Sequence, residues 1–192
     1  MQRRAFDYVQ IANREKAAHS YPSGHIAKPQ VRSLKSAVGA GVAAGAVAGL
    51  FSGAPSTVHA LLTGGDPLAA AEAAGNLLAG ADARPAALLA AGGLAHVALS
   101  VGWGTVLAVA VRRTSFPPLA VGLAGGAAIA AVDLGLLAHG PLGRRWPLIR
   151  ALPVLPQVAD HLAFGAIAGA LLGGSRRRCR GDTPRPPGLR RG

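Results

Sequence analysis

The sequence predicts an all-α membrane protein, a four-transmembrane-helix bundle with a short interfacial helix in its first outer loop. Three observations carry that expectation. Four stretches are apolar, nearly free of charge and long enough to cross a bilayer. Charge is confined to the ends and connections of a chain that is 51% hydrophobic and only 4% aromatic, with a mean hydropathy of +0.35. Small residues also recur at intervals of four within the apolar stretches, which puts them on one helix face and lets backbones approach closely in lipid.

Residues 1–35 form a basic N-terminal segment containing Arg3, Arg4, Arg14, Lys16, Lys28, Arg32 and Lys35. A short amphipathic helix is expected around Phe6, Tyr8, Val9 and Ile11, then a loop through Pro22 and Pro29. No short apolar core follows the first basic residues, so a cleaved secretory signal is not expected and the first apolar stretch should stay as an anchor. The transmembrane domain is expected over residues 36–174.

Its first span covers 36–62 and carries Gly41, Gly45, Gly49 and Gly53, three overlapping small-xxx-small units. Pro55 should kink or end this helix, and Ser56 is placed to cap a short continuation through His59. Asp66 and Pro67 then read as the N-cap and first position of a short helix. With Glu72 and Asn76 inside it, that helix is too short and too polar to span and is assigned to the interface. The second span, 86–111, starts after Pro85 and stops at Arg112 and Arg113; Gly92, His96, Ser100 and Gly104 fall on one face. Phe116, Pro117 and Pro118 make a tight connection to the third span, 119–139. A connector follows whose later prolines disfavour regular helix, with Trp146 and its arginines suited to headgroups. The fourth span, 158–174, repeats the small-residue stripe with His161, Gly165, Gly169 and Gly173. Residues 175–192 form a basic tail with the composition of a disordered segment.

The net charge of +12 resides mainly at the two ends. With both termini cytoplasmic, sixteen lysines and arginines lie inside and four outside (Arg84, Arg144, Arg145 and Arg150), a bias that sets orientation in a cytoplasmic membrane. The basic ends suit the bilayer's anionic lipids, and no nucleic-acid partner is expected, since basic tails alone bind phosphate weakly. Cys179 is the single cysteine, which excludes an intrachain disulfide and a multi-cysteine metal site. The glycine stripes serve helix packing, either among the four helices or in a homo-oligomer.

Ionisable side chains inside a span are costly and need a partner or a wet cavity. Under the proposed topology His59, His96, Asp133, His139, Asp160 and His161, with Ser100 below them, belong to the outer half of the bundle. Such a set serves one of three ends: hydrogen bonds that glue helices together, a proton or solute path, or a divalent metal or haem. The spacing matches no metal motif such as HExxH, no cofactor is expected, and no catalytic residues are assigned. LAHVALSVGWG and ADHLAFGAIAG also align His96 with His161 and Gly104 with Gly169, an internal echo that would relate two helical hairpins by an axis along the membrane normal.

The HxxxSxxxG pattern of the second span and the DHLAFGAIAG pattern of the fourth, with the glycine-laddered first span, resemble small four-span bacterial inner-membrane proteins of uncharacterised function. The resemblance covers residues 36–174 and implies a four-helix membrane fold without catalytic residues. Alanine and arginine bias fits a bacterium with a GC-rich genome. Tyr21-Pro22-Ser23-Gly24-His25 resembles the PSGH element of membrane acid phosphatases related to phosphatidic-acid phosphatase. The chain lacks that family's Lys-x6-Arg-Pro and Ser-Arg-x5-His-x3-Asp elements, so no nucleophile and phosphate-binding arginine stand in register. Arg180-Gly181-Asp182 lies in the basic tail and carries no function. The expectation is a non-enzymatic integral membrane protein of unspecified activity with a polar outer-half cavity. The alternatives are a small transporter or proton-coupled permease, and a metal- or haem-binding membrane protein.

Overall fold

A computed structural model of the chain describes residues 28–140 and 143–181. The PSGH element, the residues around Phe6 to Ile11 and the end of the tail from Asp182 lie outside the described residues. The chain divides after Leu34 into two units, and the contacts described below lie within the second, residues 35–192. Among the described residues the structure is all-helical, without a strand. The helices are α1 (Lys28–Ser52), α2 (Ala54–Thr63), α3 (Ala69–Ala79), α4 (Pro85–Arg113), α5 (Pro118–Ala130), α6 (Pro147–Ala151) and α7 (Val154–Gly181). A π-helical stretch, Ala131–Ala138, continues α5, and a 3-10 turn, Gly143–Arg145, precedes α6.

Four segments are long and apolar enough to cross a membrane: Leu34–Thr63, Pro85–Arg113, Pro118–Leu136 and Val154–Ser175. Between 28% and 39% of the most apolar window of each is buried within the chain, so most of that surface needs an apolar solvent. Leu50, Leu62, Leu94 and Leu155 all point outward, each more than half exposed. These four helices point to a multi-pass membrane protein.

Each boundary has a local cause. Pro55 has no N–H to donate and is tolerated only in a first turn, so the first span breaks after Ser52 and restarts at Ala54 with Gly53 as N-cap. Ser56 therefore falls inside the first turn of α2 and does not cap it, a correction to the sequence reading. The short helix begins at Ala69 with Leu68 as N-cap; Asp66 instead holds a preceding turn, its Oδ1 accepting the Leu68 N–H at 2.8 Å. The third span is regular only to Ala130 and then widens into the π stretch around Asp133. In the connector Pro147 opens a short helix, since proline fits a first turn as readily as it breaks an interior one. For the same reason Pro156 sits in the first turn of α7, which starts four residues before the expected boundary. Its far end runs to Gly181, so residues 175–181, expected in the tail, are helical; arginine is a good helix former.

Glycines set which helices meet. Along α1, Gly41 faces Gly104 and Thr105 of α4, Gly45 faces Ser100 and Gly104, and Gly49 faces Ser100. A β-carbon at Gly41 would stand 2.5 Å from Thr105 Cα and 2.8 Å from Gly104 O, with backbone in the way rather than a mobile side chain. The same closeness joins α5 to α7 through Gly122, Gly126, Gly165 and Gly169. In α3, Gly75 lies against the backbone of Leu88, and Gly92 of α4 lies against Ala71, so α3 and the start of α4 pack as an antiparallel pair. Gly173 makes only ordinary contact with Pro118, and Gly53 has open space beside it. A shared apolar cluster contains Ala44 and Ala48 of α1, Leu107, Ala108 and Val111 of α4, Ile129 of α5, and Phe164, Ala168 and Leu172 of α7.

Candidate functional site around the broken first span

The break between α1 and α2 creates a local electrostatic problem. A helix end leaves carbonyls without partners, and a helix start leaves N–H groups without partners. Inside an apolar stretch water is scarce, so other helices must supply the missing groups. They do so on both sides of the break. Gly49, in the last turn of α1, presents its carbonyl oxygen to His96 Nε2 at 2.8 Å, and Ser52 Oγ donates to the same oxygen at 3.4 Å. A carbonyl only accepts, so His96 Nε2 carries the hydrogen. On the other side, the Ser56 N–H donates to Asp160 Oδ1 at 2.9 Å, and the Ser56 hydroxyl donates to Asp160 Oδ2. The carboxylate thus sits at the positive end of α2, where the free N–H groups and the helix dipole favour a negative charge. Gln157, one turn earlier on α7, donates from Nε2 to Ser56 Oγ at 3.2 Å.

A second polar contact lies on the same helix. His161 Nδ1 is 2.7 Å from the Gln157 carbonyl oxygen, and Nε2 is 3.1 Å from Asp133 Oδ2 in the π stretch. The π geometry has a concrete mark, the His139 N–H bonding the Leu134 carbonyl five residues back. His161 and Asp133 side chains are 20% and 30% exposed, so the chain covers most of the pair without sealing it.

A small open-sided cavity of about 130 Å³ adjoins the break, between α2, the turn before α3 and the start of α7. Ser56, His59, Thr63, Asp66, Pro156 and Gln157 contribute to its lining. Its size suits a few waters or one small solute.

The polar residues singled out from the sequence therefore fall into separate contacts rather than one ring. Asp160 holds α2, His96 holds α1 with Ser100 buried beside it, Asp133 and His161 pair with each other, and His59 lines the cavity. His139 is exposed at the end of the π stretch. The two histidines aligned by the internal echo make unlike contacts, one to a backbone carbonyl of α1 and one to a carboxylate. Gln157 is the participant that sequence reasoning missed, and Ser56, expected as a cap, takes part instead through its N–H and hydroxyl to Asp160. Ser56 had a signal in its place behind Pro55, and Gln157 in its place one turn before His161. Among the described residues no three His, Cys, Asp or Glu side chains converge as metal ligands would. No buried side-chain nitrogen or oxygen among them lacks a hydrogen bond.

Comparison with known proteins finds no relative. No family model, no curated protein and no solved structure matches the chain.

Proposed function

We propose that this chain is a non-enzymatic four-helix bundle of a bacterial inner membrane, akin to the small four-span proteins its motifs resemble. Both termini are cytoplasmic, α3 lies at the outer interface beside the start of α4, and the basic ends meet anionic lipid. The glycine faces act as a glycine zipper, within the chain and in any homo-oligomer. In this reading the intramembrane polar residues serve mainly to hold a discontinuous first span. One observation carries it: side chains from two other helices, His96 and Asp160, satisfy backbone groups on the two sides of the break.

A second reading, a small proton-coupled permease, is favoured by the cavity that opens beside the break and shares Ser56 and Gln157 with it. Broken helices at membrane depth present backbone groups that bind solutes and ions in many transporters. The two readings part in a flux assay. Asp160→Asn should lower stability without abolishing any flux in the first reading, and should abolish a pH-dependent flux at preserved folding in the second.

The topology is tested with single cysteines placed at Asp82, Ser115 and Arg145 in a Cys179→Ser background. An impermeant maleimide should label positions 82 and 145 in intact cells, and position 115 only after permeabilisation. Labelling of 82 and 115 from the same side would refute four crossings.

A further inference from the structure

The hydrogen bonds of His161 constrain where its protons are. Nδ1 faces the Gln157 carbonyl oxygen at 2.7 Å, and a carbonyl can only accept, so Nδ1 carries a hydrogen. A neutral imidazole has one N–H, which leaves Nε2 as an acceptor. Nε2, however, faces Asp133 Oδ2 at 3.1 Å, and an ionised carboxylate is also acceptor-only. Two lone pairs at that separation repel. The contact requires one further proton between the two atoms.

We infer that Asp133 and His161 form a one-proton binding site, in which the carboxyl and the imidazole share a single exchangeable proton. The proton resides on Nε2, as imidazolium beside carboxylate, or on Oδ2, as neutral imidazole beside carboxylic acid. Both forms have zero net charge, which suits a partly desolvated position in a span. Uptake forms one Nε2–H or Oδ2–H bond at the expense of a hydronium ion and breaks no bond in the protein. Loss of the proton leaves a net negative charge and opposes the two lone pairs, so the contact should open.

Two features favour exchange over a fixed structural bond. Asp133 sits in the π stretch, a wider helical form often found at functional positions. Gln157, whose carbonyl fixes the His161 tautomer, also lines the cavity. The other ionisable groups nearby are Asp160, next to His161 on α7, and His96 of α4, which is within Coulombic reach of Asp160. Both oxygens of Asp160 already accept from Ser56, so Asp160 is engaged with α2 and not with the Asp133–His161 contact. The inference holds whether or not a solute crosses with the proton.

The test is nitrogen-15 NMR of histidine-labelled full-length protein in bilayer nanodiscs, with His161 assigned by its loss in His161→Gln. The expected result is a protonated Nδ1 throughout, and release of one proton per chain from the pair as pH rises. Asp133→Asn should remove that release, because its amide donates to Nε2 and needs no shared proton. A wild-type His161 with bare Nδ1 and protonated Nε2 would overturn the inference. So would an unchanged His161 titration in Asp133→Asn. Should Asp133→Asn fail to fold, the wild-type tautomer alone decides.

Discussion

Two glycines on one helix give the sharpest test of the packing. Gly41 and Gly39 lie two residues apart on α1, and alanine adds the same methyl group at either. At Gly41 the new carbon would lie 2.5 Å from Thr105 Cα, 2.8 Å from Gly104 O and 3.0 Å from Ala108 Cβ. Carbon atoms in contact rest at about 3.5–4.0 Å, so α1 and α4 must separate by about 1 Å. Two of the three obstacles are backbone, so no rotamer change relieves the clash. Opening such a gap forfeits about a quarter to a half of the dispersion energy of the atoms that line it. Overpacking of this kind costs about 1–3 kcal/mol. At Gly39 nothing lies within 4 Å, and alanine should be neutral or about 0.5–1 kcal/mol stabilising, because it helps the helix. Reversible unfolding in mixed micelles, followed by helical circular dichroism, measures both variants. Gly41→Ala matching Gly39→Ala would refute the account of how α1 meets α4.

Other predictions follow from single contacts. Gly75→Ala should loosen α3 from the start of α4, since its methyl group would collide with the Leu88 backbone; proteolysis within residues 64–84 should accelerate while the four spans stay helical. His96→Ala removes the cross-helix donor to Gly49 O and should cost about 0.5–1.5 kcal/mol, with Ser52 retaining part of the bond.

The spans were legible because apolar runs of bilayer length, bounded by Arg112, Arg113 and proline pairs, have few other meanings. Glycine faces were legible too, but not their partners. Gly92 and Gly104 share one stripe in α4, yet Gly92 meets α3 and Gly104 meets α1. Gly122 and Gly126, which form half of the α5–α7 contact, drew no notice because they lack a polar residue at their head. Periodicity gives the direction of a face, whereas its partner depends on loop paths and crossing geometry. The polar residues show the same limit. The break at Pro55 was expected, but its link to the polar residues of the other spans was not. A proline exposes backbone groups, and those groups need satisfying from elsewhere. That demand accounts for the contacts of His96 and Asp160, and it recruits Ser56, which the sequence offered only as a cap, and Gln157. The π stretch has no sequence signature here, and so the approach of Asp133 to His161 was visible only in three dimensions.

The central claim, that Asp160 caps the restarted helix from another span, has a direct test in a double-mutant cycle between Asp160 and Ser56. Asp160→Ala should cost about 1.5–3 kcal/mol, since it removes a charged acceptor. Ser56→Ala should cost less, because the backbone N–H still reaches Oδ1 at 2.9 Å. The double variant should fall short of the sum by about 0.5–3 kcal/mol, the coupling expected of residues in contact. Additive losses, or an Asp160→Ala variant as stable as the parent, would contradict the claim and leave the broken span without its explanation.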